Sequence, residues 1–241
     1  MKAMIFAAGL GTRLRPITDT MPKALVPVAG VPMLERVIAK VRDAGISEIV
    51  VNAHHFSDRI EEFLNGRDLG VRIDLSVEMP EPLETGGGIK RARQYLEGDS
   101  FLVHNADILS DADLVWLQSM AKPDSLATLL VSKRDTTRYL LFDDGMRLVG
   151  WTNVQTGEVR SPYSGLDPAG CRKYSFAGIH VLSDRVFPLM EDWPDKFSII
   201  DFYLRYADRY PIYGVVPEHL DLIDVGSPER LAEAERIYSR I

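Results

Sequence analysis

Ala7-Ala8-Gly9-Leu10-Gly11-Thr12-Arg13-Leu14-Arg15-Pro16, with Pro22-Lys23 following, is the stretch that decides how this chain is read. It leaves an apolar run, residues 2–8, that reads as a buried strand ending in a loop at Gly9–Leu14. Glycines directly after a first strand let backbone N–H groups approach an anion closely. The dinucleotide fingerprint needs a third glycine where Leu14 stands, and the P-loop needs Gly-Lys-Ser/Thr at a spacing not found here. A bare Gly-x-Gly carries little information, but Arg13, Arg15 and Lys23 follow this one closely, as a triphosphate of several negative charges requires. A tight turn beside a solvated basic patch is the less specific alternative.

Outward from that loop, Met33, Leu34, Val37, Ile38 and Val41 recur on one helical face, with Gly45 as a C-terminal cap. Residues 48–52, 72–77 and 101–105 read as further strands, separated by helices opening at Ser57 and covering Gly87–Tyr95. Strands alternating with helices imply right-handed crossovers and a mostly parallel sheet. From Leu126 the pattern changes to closely spaced strands at 126–132, 139–142, 147–152 and 174–181, with Asp143-Asp144-Gly145 a hairpin turn. Helices are expected near 184–190 and 198–206, and Ser227-Pro228 reads as an N-cap and first turn leading into a closing helix.

At 241 residues, 46% apolar and 26% charged, the chain suits one large α/β domain burying roughly 70% of its unfolded surface. A net charge of −7 argues against a general nucleic-acid surface, so any phosphate site is a local basic pocket. The single cysteine, Cys171, excludes an intrachain disulfide and reads as packing rather than nucleophile. No apolar stretch reaches the roughly 20 residues of a membrane span, and no cleavable leader is evident. A cytoplasmic protein with no membrane partner is expected, and homo-oligomer formation stays open.

The signature G-x-G-T-R-L-x-P…P-K, unbroken here from Gly9 to Lys23, resembles that of the nucleotidyltransferases that make nucleotide-sugars. Further motifs match in order over nearly the whole chain. The resemblance implies a Rossmann-like, glycosyltransferase-A-like α/β fold: a mostly parallel sheet flanked by helices, with a smaller antiparallel acceptor-side subregion. It divides one domain, 1–241, into a nucleotide-binding half (1–125) and a sugar-phosphate-binding half (126–241). It implies that a nucleoside triphosphate and a sugar 1-phosphate yield a nucleotide-sugar and pyrophosphate. Gly11 would hold the triphosphate, with Arg13 and Lys23 as catalytic cations; Ala8, Gly9, Thr12 and Asn105 join the expected nucleotide contacts.

Glu84-Thr85-Gly86-Gly87-Gly88 precedes a helical pattern, and three glycines permit close approach of a flat ring or phosphate to backbone. In the family this region looks like the base-binding turn, which implicates Gly86 and Gly87; a plain strand-to-helix turn is the alternative. Glu78, ending a strand before Pro80, is a candidate for facing base or ribose. Asp107 lies just past the end of a buried strand, where parallel sheets place ligands. The resemblance makes it a magnesium ligand, and Asp224, in Asp224-Val225-Gly226-Ser227-Pro228-Glu229-Arg230-Leu231, the second. Magnesium takes one or two carboxylates and completes its octahedron with water and phosphates, so two acids suffice.

On the acceptor side, Ser175-Phe176-Ala177-Gly178-Ile179 resembles the family strand whose backbone lines the sugar site, which points to Gly178. Asn153 and Asp201 are further sugar-contact candidates. Many relatives carry Val-Glu-Lys-Pro, whose lysine binds the sugar phosphate; here the stretch reads Val149-Gly150-Trp151-Thr152, leaving Arg172 or Lys173 as candidate substitutes. His54-His55 reads as loop, since adjacent histidines on extended chain point apart and no third ligand is evident. Length, base-loop form and the absence of a C-terminal β-helix look most like family members that uridylylate N-acetylmuramate 1-phosphate, with mannose 1-phosphate guanylylation next. A dehydrogenase would need an acid after the second strand, where Asn52 stands. A non-catalytic nucleotide-sugar sensor should have lost the cations or acids, and all four are present.

Overall fold

The computed structural model describes residues 1–239. Its main sheet has ten strands: β1 Lys2–Phe6, β2 Glu48–Ala53, β3 Arg72–Val77, β4 Phe101–Asn105, β5 Ala127–Ser132, β6 Arg138–Phe142, β7 Leu148–Asn153, β8 Glu158–Arg160, β9 Arg172–Leu182 and β10 Ile212–Val215. They run in the order β8-β7-β6-β9-β4-β1-β2-β3, with β5 on β9 and β10 on β5. The β4-β1-β2-β3 portion is parallel throughout. Helices Met33–Asp43, Ser57–Asn65 and Glu84–Arg91 make its crossovers. β9 is antiparallel to β4, β5 and β6, and joins the parallel half to the antiparallel one.

β1 shows why the first run is almost wholly apolar. Ala3 and Ile5 enter the core on one face of the sheet and Met4 the core on the other, so both faces need hydrophobes. Helix Met33–Asp43 buries the five residues its periodicity marks, and Gly45 follows at φ +84°. The last helix, Pro228–Tyr238, is capped by Ser227, whose Oγ accepts the Arg230 N–H, with Pro228 in the first turn.

Two short strands outside the main sheet position the site. Ile108–Ser110 pairs antiparallel with Leu222–Asp224, setting Asp224 opposite Ile108. The Val225 N–H then donates to the Asp107 carbonyl at 2.9 Å, so the ladder carries Asp224 to the end of β4. The expected helix over Gly87–Tyr95 instead begins at Glu84 and breaks at Ala92. The Gly86 and Gly87 N–H groups, unpaired in any first helical turn, donate to the Phe197 carbonyl at 2.9 and 3.2 Å. The glycines therefore lie inside the helix rather than ahead of it.

Candidate active site

A cavity of about 450 Å³ opens where the strand ends of β1 and β4 face the glycine loop. Ala7, Ala8, Gly9 and Leu10 form one wall, Asn105, Ala106 and Asp107 another. Parallel sheets leave such a crevice at the carboxyl ends of their strands. Gly11 sits at φ +65° and starts the tight turn Thr12–Leu14. A Cβ there would lie 2.8 Å from Thr18 Cγ2 and 3.0 Å from Lys23 Cβ, so the turn closes only on glycine. Thr18 Oγ1 locks it by donating to the Gly11 carbonyl at 2.8 Å.

Of the four charged candidates, Lys23 and Asp107 line this cleft, whereas Arg13 and Asp224 lie outside its wall beside Gly226. Lys23 Nζ forms an ion pair with Asp107 Oδ2, both side chains largely shielded from solvent. Arg13 Nη2 and Asp224 Oδ1 lie 2.6 and 2.9 Å from where a Cβ on Gly226 would stand. Gly226 therefore leaves room for the guanidinium and the second carboxylate on either side of it. Asp224 Oδ1 is buried without a hydrogen-bond partner. A buried carboxylate oxygen left unpaired is costly unless a cation or donor completes it. Two acids, one with an oxygen free, fit a hard divalent ion that keeps water and phosphate in its other positions.

A different group, Asp111, His219 and Asp221, also has the makeup to hold a metal ion. It is exposed and lies at the opposite end of the Ile108–Ser110 ladder, where Asp111 N–H donates to the Asp221 carbonyl at 3.1 Å.

The base-side glycines are occupied differently from the sequence reading. A Cβ on Gly86 would stand 2.3 Å from the Phe197 ring, and one on Gly87 2.0 Å from the Asp195 carbonyl oxygen. Their missing side chains make room for the protein's own 195–197 segment, and their N–H groups serve Phe197. Glu84 and Thr85, just ahead, line the cleft instead, Glu84 with φ +61°. Neither was singled out from sequence; their place immediately before the glycines was the available signal. Glu78 also borders the cleft but is almost fully buried. Its Oε1 accepts from Asn52 Nδ2 at 2.5 Å and its Oε2 from the Leu83 N–H at 2.7 Å. Burial pushes its carboxyl above the usual range, opposed by those two hydrogen bonds. Asn52 Oδ1 in turn accepts the Ala7 N–H at 2.9 Å. Glu78 thus braces the first residue of the glycine loop through Asn52.

On the acceptor side, Gly178 reaches the cleft's edge at φ +73°, where an added Cβ would meet Asn105 Nδ2 at 2.8 Å. Asp201 does not stand free: Arg160 Nη1 binds its Oδ1 at 2.5 Å. Asn153 caps a turn, its Oδ1 accepting the Gln155 N–H at 3.0 Å, and is absent from the cleft wall. Arg172 and Lys173 sit exposed at the far end of β9, six residues or about 20 Å of strand from Gly178. Arg172 contacts Asp144 there, so neither replaces the missing lysine at the cleft. Thr12 and Arg13 belong to the turn Thr12–Leu14 and are likewise outside the cleft wall.

The family model "Nucleotidyl transferase" matches residues 2–140. The chain is 34% identical to the N-acetylmuramate alpha-1-phosphate uridylyltransferase of Caulobacter vibrioides, over 97% of this chain and 95% of that one. A Mycobacterium tuberculosis mannose-1-phosphate guanylyltransferase is 39% identical over 48% of this chain and 32% of its own. Among solved structures, HddC from Yersinia pseudotuberculosis complexed with GMP-PN superposes with a TM-score of 0.75 at 26% identity, covering 98% of this chain and 99% of that one. The family match over residues 2–140 and the similarity that runs nearly end to end place the chain in the nucleotidyl transferase family, among enzymes acting on sugar 1-phosphates.

Proposed function

We propose that this enzyme transfers a uridylyl group from UTP to N-acetylmuramate 1-phosphate, releasing pyrophosphate, in the cytoplasm and with Mg²⁺. The observation that supports the reaction is the Lys23–Asp107 ion pair in the cleft beside the glycine loop, with the Asp224 strand tied to it through the Val225 N–H and the Asp107 carbonyl. The choice of base and acceptor is supported by the full-length similarity to the Caulobacter enzyme.

A sugar 1-phosphate is mostly dianionic at neutral pH, its second pKa being about 6. The nucleophile therefore needs no general base. One of its oxygens bonds to the α-phosphorus as the bond to the β-bridging oxygen breaks, and the electron pair leaves on pyrophosphate. The chain's task is to hold two polyanions together and stabilise charge spreading over the phosphoryl oxygens. Backbone N–H groups of residues 8–11 would take the triphosphate, and Arg13 and Lys23 would supply fixed positive charge. Asp107 and Asp224 would hold the ion, which when bound neutralises phosphate oxygens and orients them.

Incubation with Mg²⁺, each of the four nucleoside triphosphates and a panel of sugar 1-phosphates, with pyrophosphate as readout, tests this. UTP with N-acetylmuramate 1-phosphate is expected to give the highest kcat/KM. Guanylyl transfer is the second reading, favoured by the GMP-PN complex of HddC, and a GTP preference would replace the first.

A further inference from the structure

A second cavity, about 300 Å³, lies on the antiparallel half of the sheet, and three arginines line it: Arg134, Arg138 and Arg160. Three guanidiniums at one hollow stand out in a protein of net charge −7. Arg160 is fixed in place: it stacks on Trp151 at 4.3 Å and Asp201 binds its Nη1, while Glu158 lies 3.7 Å from Nε, too far for a hydrogen bond. Its Nη2 has no protein partner among the described residues. Arg134 donates to Ser175 Oγ at 3.4 Å, and neither it nor Arg138 pairs with a carboxylate among the described residues. Two guanidiniums without carboxylate partners, beside a third with one face left over, form a receptor for a planar anion, because their forked donors match a carboxylate.

The hollow shares no lining residue with the nucleotide cleft, but two segments run from one to the other. Along β9, Ser175 and Phe176 line the basic cavity, while Gly178 abuts Asn105 at the cleft. Two residues of strand separate them, about 6–7 Å. Across the top, Ser198 lines the basic cavity, and the next residue, Ile199, donates its N–H to Thr85 Oγ1 in the cleft at 3.0 Å. A hexose whose 1-phosphate reaches Lys23 and Asp107 would therefore extend its far substituents toward the arginines. The anion received there cannot be the reacting phosphate, which must stay at the α-phosphorus, so it is a second one.

We infer that Arg134, Arg138 and Arg160 form a specificity subsite for a carboxylate carried on the acceptor sugar, so the substrate class is a sugar 1-phosphate bearing a second, acidic substituent. This rests on the proposed transferase activity and names residues that select its acceptor. N-acetylmuramate 1-phosphate carries such a carboxylate on its lactyl ether, whereas N-acetylglucosamine 1-phosphate is the same hexosamine without it.

The test compares kcat/KM for those two acceptors with UTP and Mg²⁺ in the wild type, Arg138→Gln, Arg160→Gln and Arg138→Lys. The wild type is expected to prefer the carboxylated acceptor. Each glutamine variant should lower the ratio of the two kcat/KM values by about 10–100-fold, the range for losing one charge-assisted hydrogen bond, chiefly through KM of the carboxylated acceptor. Arg138→Lys should recover part of that ratio. Arg138 is exposed, so its replacement leaves no buried gap, and a thermal melt verifies folding. Turnover of both acceptors with no preference, or an equal loss on both in the variants, overturns the subsite and leaves the transferase standing. No turnover with either acceptor and any triphosphate overturns the transferase, and the subsite falls with it.

Discussion

Lys23 and Asp107, 84 residues apart in sequence, meet in an ion pair at the mouth of the cleft. One comes from a turn after the glycine loop and the other from the end of β4, so the parallel sheet itself closes the contact. If both act on the same phosphoryl charge, Lys23→Met and Asp107→Asn should each lower kcat by about 10²–10³. The double variant should lose little more than the worse single one, because groups acting as a unit are not additive. Single-turnover rates with saturating substrates would measure this, and fully multiplicative losses would mean independent roles.

Two glycines separate the site's chemistry from its architecture. Gly226→Ala would push into Arg13 Nη2 and Asp224 Oδ1, the first being the far end of a flexible side chain that can move. Activity should fall at least about 10-fold while the melting temperature stays within a few degrees, as for loss of a transition-state contact. Gly87→Ala would meet the Asp195 carbonyl, which is backbone and cannot step aside. Overpacking of that kind costs about 1–3 kcal/mol, so a melting temperature several degrees lower is expected. Paired melting and rate measurements check both.

Glu78→Gln should destabilise the fold by about 1–3 kcal/mol, because both carboxylate oxygens accept hydrogen bonds and an amide would face one donor with another. Through Asn52 the disturbance reaches Ala7, so KM for the triphosphate should rise as well. Urea denaturation and steady-state kinetics on the same variant test the linkage; an unchanged midpoint would contradict it.

Mild acid should loosen the protein. His104 and His180 are completely buried, and desolvation lowers their pKa from 6.5 to about 4 and about 3. Above pH 6.5 both are neutral folded or unfolded, and stability is at its full value. As pH falls below 6.5 only the unfolded chain takes up these protons, so stability declines by up to about 1.4 kcal/mol per pH unit per histidine. Urea midpoints between pH 7 and 5 should therefore fall steadily, and a flat profile in that window would contradict the burial argument.

The elements legible in sequence are those whose signals are local. The run before Gly9, the helical spacing of Met33 to Val41 and the turn at Asp143–Gly145 each need only a few neighbouring residues. What escaped depends on partners far along the chain. The Ile108–Ser110 and Leu222–Asp224 strands are three residues each and have no local signature, yet they bring the two acids together. Gly86 and Gly87 advertised themselves as a ligand-binding turn, but their emptiness is filled by residues 195–197, over 100 positions later. Asp201 was visible as a polar residue near the acceptor side; that it restrains Arg160 required the fold.

The central claim is that Arg13, Lys23, Asp107 and Asp224 together drive nucleotidyl transfer. The most direct measurement is the single-turnover rate of nucleotide-sugar formation from UTP and N-acetylmuramate 1-phosphate in wild type and Asp224→Asn, with and without Mg²⁺. The expected result is product equimolar with pyrophosphate in the wild type, dependent on Mg²⁺, and a loss of about 10²-fold or more in the variant. Wild-type rates in Asp224→Asn, or pyrophosphate released without acceptor, would contradict the account.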